Sequence, residues 1–388
     1  MPYDATSTKP LSTSVLDPLE WKEMNRNGGL TVYKDCKKSG AKTKPNRQNL
    51  RRPGGGHEIV ESKWPIPTML TLGHISGRLH DTMYGAFVDS DDGFRLRSSY
   101  LDDDLDDVKI LHKFEGPSID DPFRFCGIVW YVYGHILSPI MRRRDNVLLV
   151  AMGMTRSREG DRIGYHVMHS VDIPALRPLT QYKIERAYGS MVFVKRQWDD
   201  QRVEMFQKGF FTPKGDIPDF AIGNAVMKGI LRCGNATVEA SLSKKLYWMM
   251  QDTARARKKS SETNKPNAEI DADDGLCAGG CKRKLNGSSS RGTCRVCYKR
   301  VCSDCKVVRK ITLEASFESV LQKALCFCSR CVTFARNTSA LTVATREFLE
   351  QDCQVMLSSF RSVRSDGSTD PTASLQPQRK AHVLWQPE

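Results

Sequence analysis

Residues 294–305 read CRVCYKRVCSDC, which places four cysteines in two closely spaced pairs. Two further pairs flank this stretch, Cys277 with Cys281 before it and Cys328 with Cys331 after it. Two cysteines separated by two or three residues can reach one ion across a tight turn, and tetrahedral zinc takes four thiolates. The eight cysteines therefore suffice for two closed zinc sites. So short a segment has too little core to fold well without metal.

The composition of the whole chain predicts a cytoplasmic metal-binding protein. Thirteen cysteines in 388 residues, with no basic and then apolar leader in the first twenty, indicate metal ligands or free thiols rather than disulfides. No run of about 18 apolar residues occurs, so no transmembrane helix is expected. The formal net charge of +14 predicts an acidic partner, either an anionic membrane surface or nucleic acid, unless it reflects only a basic solvated surface.

Catalytic motifs are missing from the sequence. It contains no Gly-x-Ser-x-Gly elbow, no P-loop and no HExxH. Zinc bound by four cysteines has no open coordination position, so the metal sites are expected to be structural. The protein is therefore not expected to be an enzyme.

Hydrophobic patterns along the chain predict an α+β protein of two folded modules. A short helix is expected over Pro18–Asn25 and a longer one over Ser76–Val88, followed by a meander of antiparallel strands and a long helix. The predicted organisation is a disordered segment 1–16, a first domain 17–255, a polar linker 256–275, a zinc module 276–335, a helix 336–358 and a disordered tail 359–388.

Several motifs of the first domain, in order, resemble those of START lipid-binding domains. They are Trp21 followed by Gly29–Tyr33, Leu111-His112 leading to Asp121-Pro122, the strand Cys126–Trp130, Arg144-Asp145, and the turn Pro213–Pro218. The resemblance implies a helix-grip fold, in which a curved antiparallel sheet wraps around a long C-terminal helix. It also implies an apolar tunnel that binds a lipid.

Candidate contacts of that lipid are polar or aromatic residues set among the apolar strands, where buried polar groups need partners. These candidates are Trp130, Arg144, Asp145, Tyr165 and His169. For Arg144 and Asp145 a structural ion pair is the alternative. For Trp130 the alternative is a core position, and for His169 it is an exposed or otherwise satisfied side chain.

The cysteine spacing of the second module resembles that of FYVE zinc fingers, which have the same Cys-x2-Cys-x4-Cys-x2-Cys centre. The resemblance implies a cross-braced arrangement of two Zn²⁺ ions. Cys277, Cys281, Cys302 and Cys305 would hold the first ion, and Cys294, Cys297, Cys328 and Cys331 the second. Cys326 would be spare or would compete with Cys328.

FYVE fingers bind phosphatidylinositol 3-phosphate, which makes an anionic or endosomal membrane a partner of interest. The family's His-His pair and its Trp-x-x-Asp are absent here. Basic residues that could still face an anionic surface are Arg291, Arg295, Lys299 and Arg300.

Together these features predict a non-enzymatic lipid-binding protein, for lipid transfer or sensing, whose zinc finger aids docking to a membrane or a protein. The protein would be cytoplasmic or peripheral on endosomal membranes. The main alternative is an interaction scaffold whose START-like domain has lost its ligand. A ubiquitin ligase is disfavoured by the cysteine spacing, and nucleic acid is the less favoured partner.

Overall fold

The computed structural model describes residues 16–36, 68–133, 142–212, 219–262, 275–285 and 292–365. Its strands are β1 (Trp21–Asn27), β2 (Leu30–Asp35), β3 (Met69–Ser76), β4 (Leu105–Glu115), β5 (Phe125–Tyr133), β6 (Arg143–Arg156), β7 (Arg162–Ser170), β8 (Ile184–Arg186), β9 (Tyr188–Asp199), β10 (Arg202–Thr212), β11 (Lys306–Ala315) and β12 (Val320–Cys328). Its helices are α1 (Leu79–Ala86), α2 (Asp91–Leu101), α3 (Asp219–Glu262), α4 (Ser329–Asn337) and α5 (Ala340–Ser365). None of the described helices is both long enough and apolar enough to cross a bilayer.

The first ten strands form one large curved sheet, and β11 and β12 form a separate hairpin. The order across the large sheet is β1-β2-β3-β10-β9-β7-β6-β5-β4, and β8 pairs with β6 in parallel. All other pairs in it are antiparallel. The predicted antiparallel sheet and the long helix that follows it are therefore both present.

Helices α1, α2 and α3 lie on one face of the sheet, which we call the inner face. Gly164 of β7 lies so close to Met83 of α1 that an added Cβ would overlap the methionine sulfur. Tyr131 of β5 packs edge-on against Phe94 of α2, with ring centroids 5.2 Å apart. Helix α3 contacts β1, β2 and β3. Because side chains alternate between faces along a strand, these contacts and the pairing register assign every strand position to a face.

The opposite, outer face carries a small apolar cluster of its own. Tyr33, Leu70 and Leu72 are buried there, and Leu16, Trp21 and Phe206 pack against them. Trp21 belongs to β1, so the helix predicted over Pro18–Asn25 is wrong. Pairing with β2 along the whole of β1 supplies hydrogen bonds that a short isolated helix could not match.

Helix α2 was not predicted, yet its ends carry ordinary helix signals. The Ser90 hydroxyl accepts a hydrogen bond from the Gly93 backbone N–H (3.1 Å), and Asp91 and Asp92 occupy the first turn. The helix ends at Asp102, which adopts a left-handed backbone conformation (φ 51°).

The cysteine-rich module packs directly on the first domain. The β11–β12 hairpin lies on α2, where the Thr312 backbone N–H donates to Tyr100 Oη (2.9 Å). It also lies on α3, where Tyr247 Oη donates to the Leu313 carbonyl (3.2 Å). One continuous apolar core includes both regions. Helix α3 extends to Glu262, beyond the predicted domain boundary at 255 and into the segment predicted as a linker.

Two helices occupy the region where one was predicted over 336–358. Helix α4 ends at Asn337, and the Ser339 hydroxyl accepts from the Thr342 backbone N–H (3.3 Å) at the start of α5. Helix α5 continues to Ser365, past the predicted start of the tail. It contacts the first domain through Tyr84 Oη, which donates to Glu347 Oε2 (2.8 Å).

Candidate functional site

Eight cysteines form two groups of four that could each hold a metal ion. The first group comprises Cys277, Cys281, Cys302 and Cys305, and the second comprises Cys294, Cys297, Cys328 and Cys331. Within each group all four sulfur atoms lie within 4.8 Å of one another. The groups interleave along the chain, because the first and third pairs join and the second and fourth pairs join.

The sulfur separations fit tetrahedral coordination of zinc. Four sulfurs at about 2.3 Å from a central ion lie about 3.8 Å apart. The Cys277–Cys302 sulfur distance is 3.6 Å, Cys281–Cys302 is 3.8 Å and Cys297–Cys328 is 3.9 Å. These distances are far longer than the roughly 2.05 Å of a disulfide.

Tight turns bring the cysteines of a pair together. Lys282, directly after Cys281, and Tyr298, directly after Cys297, both adopt a left-handed conformation with φ of 59° and 58°. Backbone N–H groups of Gly279 and Cys302 donate to Cys277 Sγ, each at 3.4 Å.

In the second group, helix α4 positions two of the four ligands. Cys328 caps the helix, because its sulfur accepts from the Cys331 backbone N–H at 3.4 Å, and Cys331 lies in the first turn. A metal ion bound by this group would therefore contact the first turn of α4 through Cys328 and Cys331.

Electrostatics of the sulfur clusters favour a bound cation. Hydrogen bonding, first from Cys297, holds the pKa of Cys294 well below its usual range. Hydrogen bonding to the Cys294 thiolate raises the pKa of Cys331 far above its usual range. In the first group, burial raises the pKa of Cys305 to about 12. Four thiolates cannot all ionise side by side without a positive ion to neutralise them.

We expect Gly279→Ala to distort the first cysteine group. An added Cβ would overlap the Cβ and Sγ of Cys305 and lie 3.0 Å from Ser329 Oγ. Overpacking of this kind costs about 2 kcal/mol of unfolding free energy, and the displaced sulfur should weaken metal binding. Chelator titration with a colorimetric zinc indicator, together with urea unfolding, measures both effects.

The matched control is Gly229→Ala in α3, where an added Cβ meets nothing within 4 Å. This variant should unfold at the same or slightly higher urea concentration, because alanine favours a helix. Equal metal affinity of Gly279→Ala and the unmodified protein would contradict the expectation.

Of the four basic residues considered for an anionic surface, three can be placed. Arg295 is exposed, whereas Lys299 and Arg300 are half-buried. Arg291 lies outside the described residues. Cys326 is not part of either group of four, so Cys328 is the residue that the structure places with Cys294.

The five lipid-contact candidates lie on different faces of the sheet. The register places Trp130, Asp145, Tyr165 and His169 on the outer face, away from α1, α2 and α3. Only Arg144 lies on the inner face. A ligand held between the sheet and the helices would not touch the first four residues, so their role as lipid contacts stays a prediction. The motif at Pro213–Pro218 lies outside the described residues.

Asp145 is the centre of a buried hydrogen-bond network on the outer face. It is 0% exposed, and its carboxylate accepts two hydrogen bonds from Arg186, at 2.9 and 3.0 Å. It accepts a third from Trp130 Nε1 at 2.9 Å. The ion-pair alternative therefore holds for Asp145, but the partner is Arg186 and not its neighbour Arg144. Sequence reasoning missed Arg186, which lies 41 positions away.

The other two outer-face candidates also make local contacts. Tyr165 Oη accepts a hydrogen bond from Arg124 at 3.3 Å. His169 is exposed, and its Nδ1 lies 3.0 Å from the Ser190 hydroxyl.

We expect Asp145→Asn to lower the free energy of unfolding by about 3 kcal/mol. The amide cannot accept both bonds from Arg186, which would remain buried with its charge uncompensated. Urea unfolding at pH 7 measures the change. His169→Ala on the same face should cost less than about 1 kcal/mol, because the side chain is exposed. Similar losses in the two variants would show that Asp145 has no special structural role.

The inner face offers a different set of residues. Met168, Met191 and Phe193 on β7 and β9 point inward but are only half-buried. His166 stacks on Phe193, with ring centroids 5.8 Å apart, and burial lowers its pKa to about 3, so it is neutral at pH 7. This part of the inner face therefore combines incompletely buried apolar side chains with the polar His166 and Lys195. Strand alternation alone could have grouped these residues, but it could not have said which face the helices cover.

Comparisons with known proteins identify distant structural neighbours. No family model matches the chain, and no curated protein matches its sequence. Among solved structures, human StAR-related lipid transfer protein 5 is 13% identical with a TM-score of 0.40, over 58% of this chain and 88% of that one. The lipid transfer and protein localization domain of human StarD13 is 12% identical with a TM-score of 0.37, over 57% and 88%. A STAR-related lipid transfer protein from Xanthomonas axonopodis is 14% identical with a TM-score of 0.34, over 57% and 96%.

Proposed function

We propose that this chain is a non-enzymatic lipid-binding protein, acting in lipid transfer or sensing, with a structural two-zinc module fused to its lipid-binding domain. The observation that carries the proposal is the inner face of the sheet. This face is lined on the adjacent strands β7 and β9 by the half-buried side chains of Met168, Met191 and Phe193, which point toward the side of the sheet that the helices occupy. Burying a lipid chain against such a surface stabilises a complex by roughly 0.8 kcal/mol per methylene.

The zinc assignment follows from the ligand type. Closed sets of four thiolates with separations near 3.8 Å suit tetrahedral zinc better than oxygen-preferring cations. In this proposal both ions are structural, because no coordination position is open to a substrate. The FYVE-like finger would then serve docking to an anionic or endosomal membrane, through Arg295 and its basic neighbours, and the protein would be cytoplasmic or peripheral on that membrane.

An interaction scaffold without ligand is the second candidate, and one observation favours it. Phe94, Phe125 and Tyr131 are each at most 1% exposed and fill the inner face beside α2. If side chains fill the remainder of the inner face in the same way, no lipid could enter, and the protein would act through protein partners.

Native mass spectrometry of the purified full-length chain tests both candidates. We expect a mass that includes two zinc ions and, in part of the population, a co-purified lipid. Two zinc ions without lipid, even after incubation with mixed-lipid vesicles, would favour the scaffold. A folded chain without zinc would contradict the metal assignment.

A further inference from the structure

The free edge of strand β12 is open to solvent between residues 320 and 325. Strands β11 and β12 form a sheet only with each other. The Cys326 carbonyl accepts a hydrogen bond from the Arg295 backbone N–H (2.9 Å), so it points away from β11. Because backbone groups alternate in direction along an antiparallel pair, those of Gln322 and Ala324 also point away from β11. On that side neither residue has a backbone hydrogen bond to the part of the chain that the structure describes.

The free edges of β1, β4 and β11 are covered or irregular, unlike that of β12. The edge of β11 faces the first domain, where Tyr100 and Tyr247 bond to its backbone. On β4, the Ile110 N–H donates to Asp91 Oδ1 of α2 at 2.7 Å. Register irregularities also interrupt β1 and β4. Such devices protect an edge, because unpaired backbone groups accept another strand. The open edge of β12 is therefore suited to pair with an added strand.

The side chains along this edge fit an extended peptide. Val320 and Leu321 are 48% and 40% exposed, and Lys323 and Ala324 are exposed as well. Leu321, Lys323 and Leu325 share one face of the hairpin, since side chains alternate along a strand. A peptide strand would pair with the open backbone groups and cover the apolar side chains at the same time. A lipid headgroup offers no matching row of alternating donors and acceptors.

The charge around the edge favours an acidic partner. Lys323 lies in the middle of the open stretch, Lys310 on the neighbouring strand and Arg295 at one end, and all three are exposed. The only carboxylate within the two strands, that of Glu314, lies toward the opposite end. We propose that β12 binds an extended acidic segment of a partner protein, which adds to the hairpin as a third, antiparallel strand.

A second copy of this chain is a less suitable occupant of the edge. Antiparallel pairing of two β12 strands, centred on the open stretch, would place two Lys323 side chains opposite each other. Like charges at such positions are destabilising. The inference requires the folded metal module, but it is independent of lipid binding by the first domain.

The probe is a fluorescein-labelled peptide designed from the register, Thr-Val-Thr-Glu-Thr-Val-Thr. Antiparallel pairing places its Glu opposite Lys323, its two Val residues opposite Leu321 and Leu325, and the two central Thr residues opposite Gln322 and Ala324. Fluorescence anisotropy with the full-length, zinc-loaded chain measures binding. N-methylation of the two central Thr residues should weaken binding at least about 5-fold, because their N–H groups point at β12. N-methylation of the two Val residues is the matched control and should leave binding unchanged.

Two variants of the protein test the same contact. Lys323→Glu should weaken peptide binding at least about 5-fold, because it replaces charge attraction by repulsion. Lys228→Glu on α3 makes the same change of net charge and should not affect binding. Ala324→Pro removes one outward N–H and should also weaken binding about 5-fold. Its zinc content and melting temperature should match those of the unmodified protein, since proline is tolerated where the strand N–H faces solvent.

Several outcomes would overturn the inference. One is no binding of the probe, and another is equal binding of the two N-methylated peptides, because strand pairing distinguishes them. A third is loss of binding in Lys323→Glu but not in Ala324→Pro, which is the behaviour of a purely electrostatic surface such as one for an anionic membrane. A fourth is a dimer of the unmodified chain in analytical ultracentrifugation that Ala324→Pro dissociates, because a second copy would then occupy the edge. None of these outcomes bears on lipid uptake by the first domain.

Discussion

Cys294→Ser is expected to remove the metal from the second cysteine group and to unfold the module around it. Cys294 is 0% exposed, and its sulfur belongs to the group that includes Cys328 and Cys331 at the start of α4. Binding of structural zinc contributes about 10–16 kcal/mol in small metal modules, as much as the whole stability of an ordinary domain. Zinc content measured by plasma mass spectrometry should fall from two ions per chain to one or none, and near-ultraviolet circular dichroism should weaken.

Cys353→Ser is the matched control for this variant. Cys353 is exposed on α5 and belongs to neither group of four. Its replacement should leave zinc content and the unfolding curve unchanged. If Cys294→Ser retained two zinc ions and unfolded like the control, the metal assignment would be wrong.

Lys245→Met is expected to destabilise the whole protein by about 3–5 kcal/mol, because it breaks a buried ion pair at the junction of the two modules. Lys245 of α3 is 1% exposed and donates to Asp81 Oδ1 of α1 at 2.8 Å. It also donates to the carbonyls of Arg336 and Thr338, at the end of α4, at 3.4 and 3.1 Å. Removing the ammonium leaves the Asp81 carboxylate buried without its counter-ion.

Urea unfolding measures this loss, and hydrogen exchange localises it. We expect faster exchange in both α1 and α4, because Lys245 contacts both. The double variant Lys245→Met with Asp81→Leu should recover much of the stability, since it leaves no uncompensated charge. Arg202→Met, which breaks the exposed Arg202–Asp199 pair, should change stability little. A similarly small effect of Lys245→Met would show that the two modules are not coupled through this residue.

Cys294 and Lys245 both bear on the attachment of the metal module to the first domain. Metal ligands begin α4, and the carbonyls at the end of α4 bind a lysine of α3. Ordering by metal at one end of this short helix can therefore support α3, the helix that covers the sheet. The predicted linker 256–275 had suggested modules joined only by a flexible segment.

Local sequence features determined much of the architecture. Cysteine spacing predicted eight ligands for two sites, because two cysteines separated by two or three residues can reach one ion across a tight turn. Long stretches of β-branched and aromatic residues predicted the antiparallel sheet, and the apolar periodicity after Pro218 predicted the long helix. The local signal around Trp21 was weak, and the helix predicted there is wrong. The segment forms strand β1 instead, because β2 is available to pair with it.

The tertiary structure alone decided which residues meet. The alternation of side chains along β5 and β6 places Trp130 and Asp145 on one face of the sheet and Tyr131 and Asn146 on the other. Only the position of the helices shows that Tyr131 and Asn146 lie on the inner face. The partner of Asp145 is Arg186, which reaches it because β8 pairs in parallel with β6. Likewise, Lys245 meets Arg336 and Thr338 across about 90 residues of sequence. Local pattern fixes the conformation and amphipathic character of each element, whereas contacts between distant elements depend on how the whole chain packs, which no local pattern encodes.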